Sequence, residues 1–99
     1  MILTKEQIIS VVKNYFETKP VSKVWLFGSY ARGDADENSD VDVMVDIDYE
    51  KLSSGFDYFG WHQDLGEKVN KNVDVVSYRW VSKFILPHIK ADMELIYEK

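Results

Sequence analysis

Cysteine is absent from the 99 residues, which excludes a disulfide framework and fits a reducing compartment, so the cytoplasm is the expected setting. No apolar run reaches the roughly eighteen residues of a membrane span. The opening MILTKEQIIS lacks a basic stretch followed by a long apolar core, and neither export nor a membrane association is expected. Positive charge is also scarce. Twelve Lys and Arg against seventeen Asp and Glu leave a net charge of −5, with no basic run, so direct binding to nucleic acid through its phosphates is not expected. No repeat, low-complexity tract or interdomain linker interrupts the chain. With 45% hydrophobic residues, residues 1–99 read as a single small domain, above the size at which staples become necessary.

What the chain does contain is concentrated between Gly28 and Asp46, in the stretch GSYARGDADENSDVDVMVD. An apolar run, Val24 to Phe27, reads as a buried strand and delivers the chain to a Gly28–Ser29 turn. Tyr30 to Gly33 reads as a short helical turn and Asp34 to Asn38 as a polar loop. A second strand, Val41 to Val45, then alternates with period two, so that Val41, Val43 and Val45 face the core while Asp40 and Asp42 share the other face. Same-face neighbours on a strand lie roughly 6.6 Å apart, a spacing from which two carboxylates can converge on cations held about 3.5–4 Å from each other.

The remaining elements are simpler. Thr4 and Gln7 form a capping box for a helix that buries Ile8, Val12 and Phe16 and stops at Pro20. Ser53, Ser54 and Gly55 mark a mobile connection into a helix of about fifteen residues with Phe59, Leu65 and Val69 as its buried positions, although Gly60 and Gly66 weaken its interior. Val73 to Ser77 is a third strand, Trp80 to Lys90 a helix that Pro87 ends or kinks, and Leu95 to Tyr97 a short last strand. This order predicts an α/β (α+β) fold, a small mixed sheet with flanking helices. In the third strand Asp74 interrupts a run of valines, and an unpaired carboxylate there is costly unless something such as a metal compensates it. It would join Asp40 and Asp42 if the strands are neighbours.

Phe27-Gly28-Ser29-Tyr30-Ala31-Arg32-Gly33 followed by Ser39-Asp40-Val41-Asp42 resembles the signature of the minimal nucleotidyltransferases of the polymerase-β-like superfamily, and the resemblance spans nearly the whole chain. It implies a polymerase-β-like nucleotidyltransferase fold. It also implies nucleotide binding by Gly28, Ser29, Arg32 and Ser39, and magnesium binding, with two ions, by the catalytic acids Asp40, Asp42 and Asp74, the last being the one whose spacing is not fixed. ATP would be the substrate. Small relatives of this kind pair with a helical HEPN protein, a toxic ribonuclease, and act as antitoxin by transferring adenylate to a toxin tyrosine. The resemblance therefore implies a HEPN toxin as protein partner and acceptor. A small-molecule or RNA-end acceptor, or a non-catalytic antitoxin that acts by occlusion, are the competing readings.

Other features have plainer explanations. Asp34, Asp36, Asn38 and Asp40 imitate the start of a calcium loop, but Ser39 stands where Gly is needed and Val45 where Glu is needed. Asp46 and Asp48 are expected in a solvated loop. His62 and His88 lack metal-ligand spacing. The aromatic group Phe56, Tyr58, Phe59 and Trp61 is read mainly as core, with an exposed partner surface as the other option, and Trp80 shares that ambiguity.

Overall fold

Two glycines and a row of alternating valines explain most of the architecture of the computed structural model, which describes residues 3–52, 55–81, 83–84 and 86–99, with 55–57 through their backbone alone. The connection expected at Ser53 and Ser54, and the side chain of Phe56, lie outside the described residues. Helix α1 (Lys5–Phe16) begins at the expected capping box: Thr4 Oγ1 accepts from the Gln7 amide at 3.1 Å, and Gln7 Oε1 accepts from the Thr4 amide at 2.7 Å. These bonds satisfy two of the amides that a helix start leaves without partners. Strand β1 (Val21–Phe27) leads through Gly28 into a single turn, α2 (Ser29–Arg32), and the chain returns in β2 (Val41–Ile47). Then follow α3 (Gly55–Val69), β3 (Val73–Ser77), α4 (Leu86–Lys90) and β4 (Glu94–Glu98).

The four strands form one mixed sheet in the order β3-β2-β1-β4. Strand β1 runs antiparallel to both its neighbours, whereas β2 and β3 are parallel, joined by the α3 crossover. Alternation places Val41, Val43 and Val45 of β2, with Val24 and Leu26 of β1 and Val73 and Val75 of β3, in the buried cluster with Ile8, Val12 and Phe16 of α1 and Trp61, Leu65 and Val69 of α3. Phe16 and Trp61 meet edge to face with ring centroids 5.4 Å apart, which ties the two helices together. Met44 belongs to the opposite face. It is fully buried at the register of Trp25 and Val76, and Trp25 in turn stacks on Tyr78 at 5.1 Å. The sheet is thus apolar behind and mixed in front, and the acids of β2 and β3 are on the mixed side.

Three expectations change. The buried stripe of α3 runs through Trp61, Leu65 and Val69, four residues apart, whereas Phe59 is 68% exposed; Phe59 is two residues before Trp61 and so lies about 200° around the helix from it. The helix expected over Trp80–Lys90 is confined to Leu86–Lys90. Proline is tolerated in the first turn of a helix and not in its middle, so Pro87 marks the beginning of this helix and not its end. Asp46 lies within β2 and is half-buried, not in a solvated loop. The first of these corrections has a measurable consequence. Trp61→Ala is expected to cost about 3–5 kcal/mol and Phe59→Ala no more than about 0.5 kcal/mol in denaturant unfolding, and equal losses would contradict the orientation of α3.

Candidate active site

Strand β1 ends beside Asp42, because Phe27 is the register partner of that residue. The next residue, Gly28, adopts φ 76° and ψ −154°, a conformation that an L side chain rarely takes. Space makes the same demand, since a Cβ at Gly28 would collide with Asp42 Oδ2. Glycine is therefore required twice, for the bend and for the approach of the carboxylate. Ser29 opens the single helical turn α2, and Gly33, at φ 88°, closes it. A helix start leaves amides without intrahelical partners, so Ser29 and the first N–H groups of α2 follow directly on the bend beside Asp42.

The third strand supplies the rest. Parallel pairing puts Asp42 opposite Asp74, while Asp40 lies immediately before β2 and is exposed. Asp74 is exposed as well, and Asp42 is half-buried. Two of the three acids named from the sequence thus lie on adjacent strands, and the third immediately precedes one of them. Burial pushes the Asp42 carboxyl up to about 6, helped by repulsion from Asp74 and Asp40 and by a hydrogen bond shared with Asp74, while Arg32 pulls it down. Two negative groups at one register position resist ionising together.

Arg32 is held at the rim by Asp34 (Nε to Oδ2, 3.1 Å) and Asp92 (Nη1 to Oδ2, 2.9 Å). Its guanidinium remains accessible, with the side chain 47% exposed. Ser39 is differently employed: its Oγ accepts from the Asp36 amide at 2.8 Å and lies 3.3 Å from Asp36 Oδ1. Asp36 Oδ1 also accepts from the Asn38 amide at 2.8 Å, so the acidic loop is closed on itself in an Asx turn and does not open as a calcium loop. Lys71 fastens this loop from outside, donating to the carbonyl oxygens of Glu37 at 2.9 Å and Ser39 at 2.7 Å. No sequence signal marked Lys71, because its partners are backbone atoms more than thirty residues away.

Among the described residues, no three Asp, Glu, His or Cys side chains already form a metal cage. The donor set nonetheless fits magnesium, which prefers hard oxygen ligands and is usually bound by one or two carboxylates together with substrate phosphates. A divalent cation would also offset the repulsion that raises Asp42. Asp42 and Asp74, with Asp40 at the edge, are the residues that would hold it.

The family model described as Polymerase beta, Nucleotidyltransferase matches residues 6–99. Protein adenylyltransferase MntA of Thermococcus cleftensis is 35% identical over 79 residues, which cover 76% of this chain and 78% of that protein. The Methanocaldococcus jannaschii protein MJ1379, whose protein adenylyltransferase name is itself provisional, is 32% identical over 89 residues, 88% of this chain and 83% of that one. Among solved structures, a chain of a toxin–antitoxin crystal structure with AMP-PNP superposes with a TM-score of 0.73 at 22% identity, covering 98% of this chain and 75% of that chain. A chain from the complex of tri-AMPylated Shewanella oneidensis HEPN toxin with MNT antitoxin gives 0.64 at 18% identity, covering 96% and 70%. At these identities the structural likeness concerns the fold.

The charge state of Asp42 leads to a stability prediction. Its folded pKa of about 6 is above the ordinary 3.8, so the fold favours the protonated form. The cost is absent below about pH 4, grows between about pH 4 and 6, and is fully present above that. Asp42→Asn should therefore stabilise the metal-free protein by on the order of 1 kcal/mol at neutral pH, a figure discounted for partial exposure. The gain should vanish near pH 4, as read by denaturant unfolding in chelator at both pH values.

Proposed function

We propose, from the premise that this chain belongs to the polymerase β nucleotidyltransferase family, that it is a magnesium-dependent enzyme transferring AMP from ATP to a hydroxyl of a partner protein. The relatives that share most of its length are named protein adenylyltransferases, which favours a protein acceptor over a small molecule or an RNA end. A HEPN toxin is the partner we propose, with a tyrosine as the modified residue, because HEPN and MNT proteins occur together in a complex of the same fold. On this reading the chain is a cytoplasmic antitoxin. The observation on which the reading rests is the pairing of Asp42 with Asp74 beside the Gly28 bend.

Each residue then has a task. Gly28 lets the triphosphate approach the backbone, Ser29 offers its hydroxyl and amide, and Arg32 exchanges its bonds to Asp34 and Asp92 for charge-assisted bonds to phosphate. Ser39, engaged with Asp36, shapes the loop that aims Asp40 and adds its hydroxyl to the nucleotide-binding side of the site. Asp40 and Asp42, with Asp74 for a second ion, would hold magnesium, which when bound neutralises phosphate charge and acidifies the incoming hydroxyl. The acceptor oxygen forms a bond to the α-phosphorus as the bond to the α,β-bridging oxygen breaks. Pyrophosphate leaves with that electron pair, and the hydroxyl proton passes to the Asp74 carboxylate.

Incubation with α-labelled ATP, magnesium and the cognate HEPN protein should label the partner. Asp42→Asn and Asp74→Asn should each lower the labelling rate by about 100-fold or more, and the Asp42 variant should do so while remaining folded. In cells expressing the toxin, Asp42→Asn should abolish protection. Retained protection without labelling would show that the chain works by occlusion.

A further inference from the structure

The nucleotidyl-transfer reading leaves open where the acceptor enters, and the strand order bears on that. In-line displacement requires the attacking and leaving oxygens on opposite sides of the phosphorus. With the phosphates beside Gly28 and Ser29 at the end of β1, and β2 between, the attacking side is the β3 side. There the surface opens into a cleft of about 940 Å³ between α3 and the start of β3, and its walls include Asp40, Asp74, Phe59, His62, Glu67 and Lys71. Two of the site acids are thus shared with this cleft.

Its walls are specific in character. Phe59 holds an apolar ring 68% exposed at the cleft, supported by the Tyr58 ring at 5.8 Å. Tyr58 is itself anchored by its hydroxyl to the Val75 carbonyl at 2.6 Å. His62 is tied to the edge of β3, its Nδ1 accepting from the Val75 amide at 3.2 Å and lying 3.3 Å from the Val73 carbonyl oxygen. Asp40 and Asp74 are the acids that would hold magnesium, which leaves Glu67 as the wall carboxylate to meet an acceptor, while the ammonium of Lys71 is committed to the carbonyls of Glu37 and Ser39.

We propose that this cleft is the acceptor channel and that it takes a positively charged protein segment bearing the hydroxyl, with Phe59 as its apolar contact and Glu67 as the charge that selects it. The proposal rests on the nucleotidyl-transfer reading and adds the chemistry of the acceptor. The size of the cleft suits a few side chains of an extended segment.

Two tyrosine peptides of equal length, one flanked by arginine and one by glutamate, test this by NMR titration of the full chain, with magnesium and a non-hydrolysable ATP analogue and again without them. The arginine peptide should bind about tenfold more tightly, with amide shifts centred on Phe59, His62 and Gln63. Glu67→Lys should remove the preference. Phe59→Ala should weaken the arginine peptide by about fivefold, and both variants should take up the analogue within about twofold of the unaltered chain. Equal binding of the two peptides, shifts centred on Trp80, or an oligoribonucleotide occupying the cleft in their place would each overturn the proposal. Failure of the unaltered chain to take up the analogue would overturn the transfer reading and the channel with it. Uptake of the analogue without a peptide preference overturns the channel alone.

Discussion

Two carboxylates at one register position of a parallel strand pair are the constraint around which this molecule is organised. Asp42 and Asp74 repel each other, and burial makes ionisation of Asp42 harder still. The hydrogen bond they share when Asp42 is protonated is too little to keep them together. What does so is the other face of the same two strands, where Val41, Val43, Val45, Val73 and Val75 are locked into one core with α1 and α3. Because side chains alternate along a strand, burying the valines commits the aspartates to the opposite side. The hydrophobic core thus supplies the free energy that holds a repulsive pair in place.

The same logic extends to Gly28. Its missing side chain leaves the volume that Asp42 occupies, so the bend that ends β1 and the acid that begins β2 are parts of one packing solution. Around this centre, longer-range ties hold the neighbouring segments: Arg32 is fastened to Asp92 near the end of the chain, and Lys71 to the carbonyls of the loop before β2. A cluster of this kind sacrifices stability for chemistry, as functional sites commonly do. Its acids are better suited to a cation than to one another.

The elements with strong local signals were legible in the chain. Thr4 and Gln7 announced α1 because a capping box is a local hydrogen-bond pattern. The alternation around Asp42 announced β2, because a period of two survives without knowledge of neighbours. Helix α3 was legible as a helix but not in its facing, since Phe59 and Trp61 are equally apolar and only contact with Phe16 selects Trp61. The segment before Pro87 misled because proline is compatible with either end of an element, and the choice is made by what precedes it. His62 carried no metal-ligand spacing, and its bond to Val75 joins a helix to a strand edge that the sequence does not pair.

By itself, then, the sequence determined which residue types were available and which way each would face: a bend that only glycine can make, acids on one side of a strand, valines on the other. These follow from backbone sterics and the alternation of side chains, which act over a few residues. Only the tertiary structure decided that β2 and β3 lie side by side in parallel with Asp42 against Asp74, and that an open, acidic cleft adjoins them. Strand order is set by the crossover of α3 and by the burial of its Trp61, Leu65 and Val69 against the sheet. Those contacts join residues far apart in the chain, whose proximity no local pattern encodes.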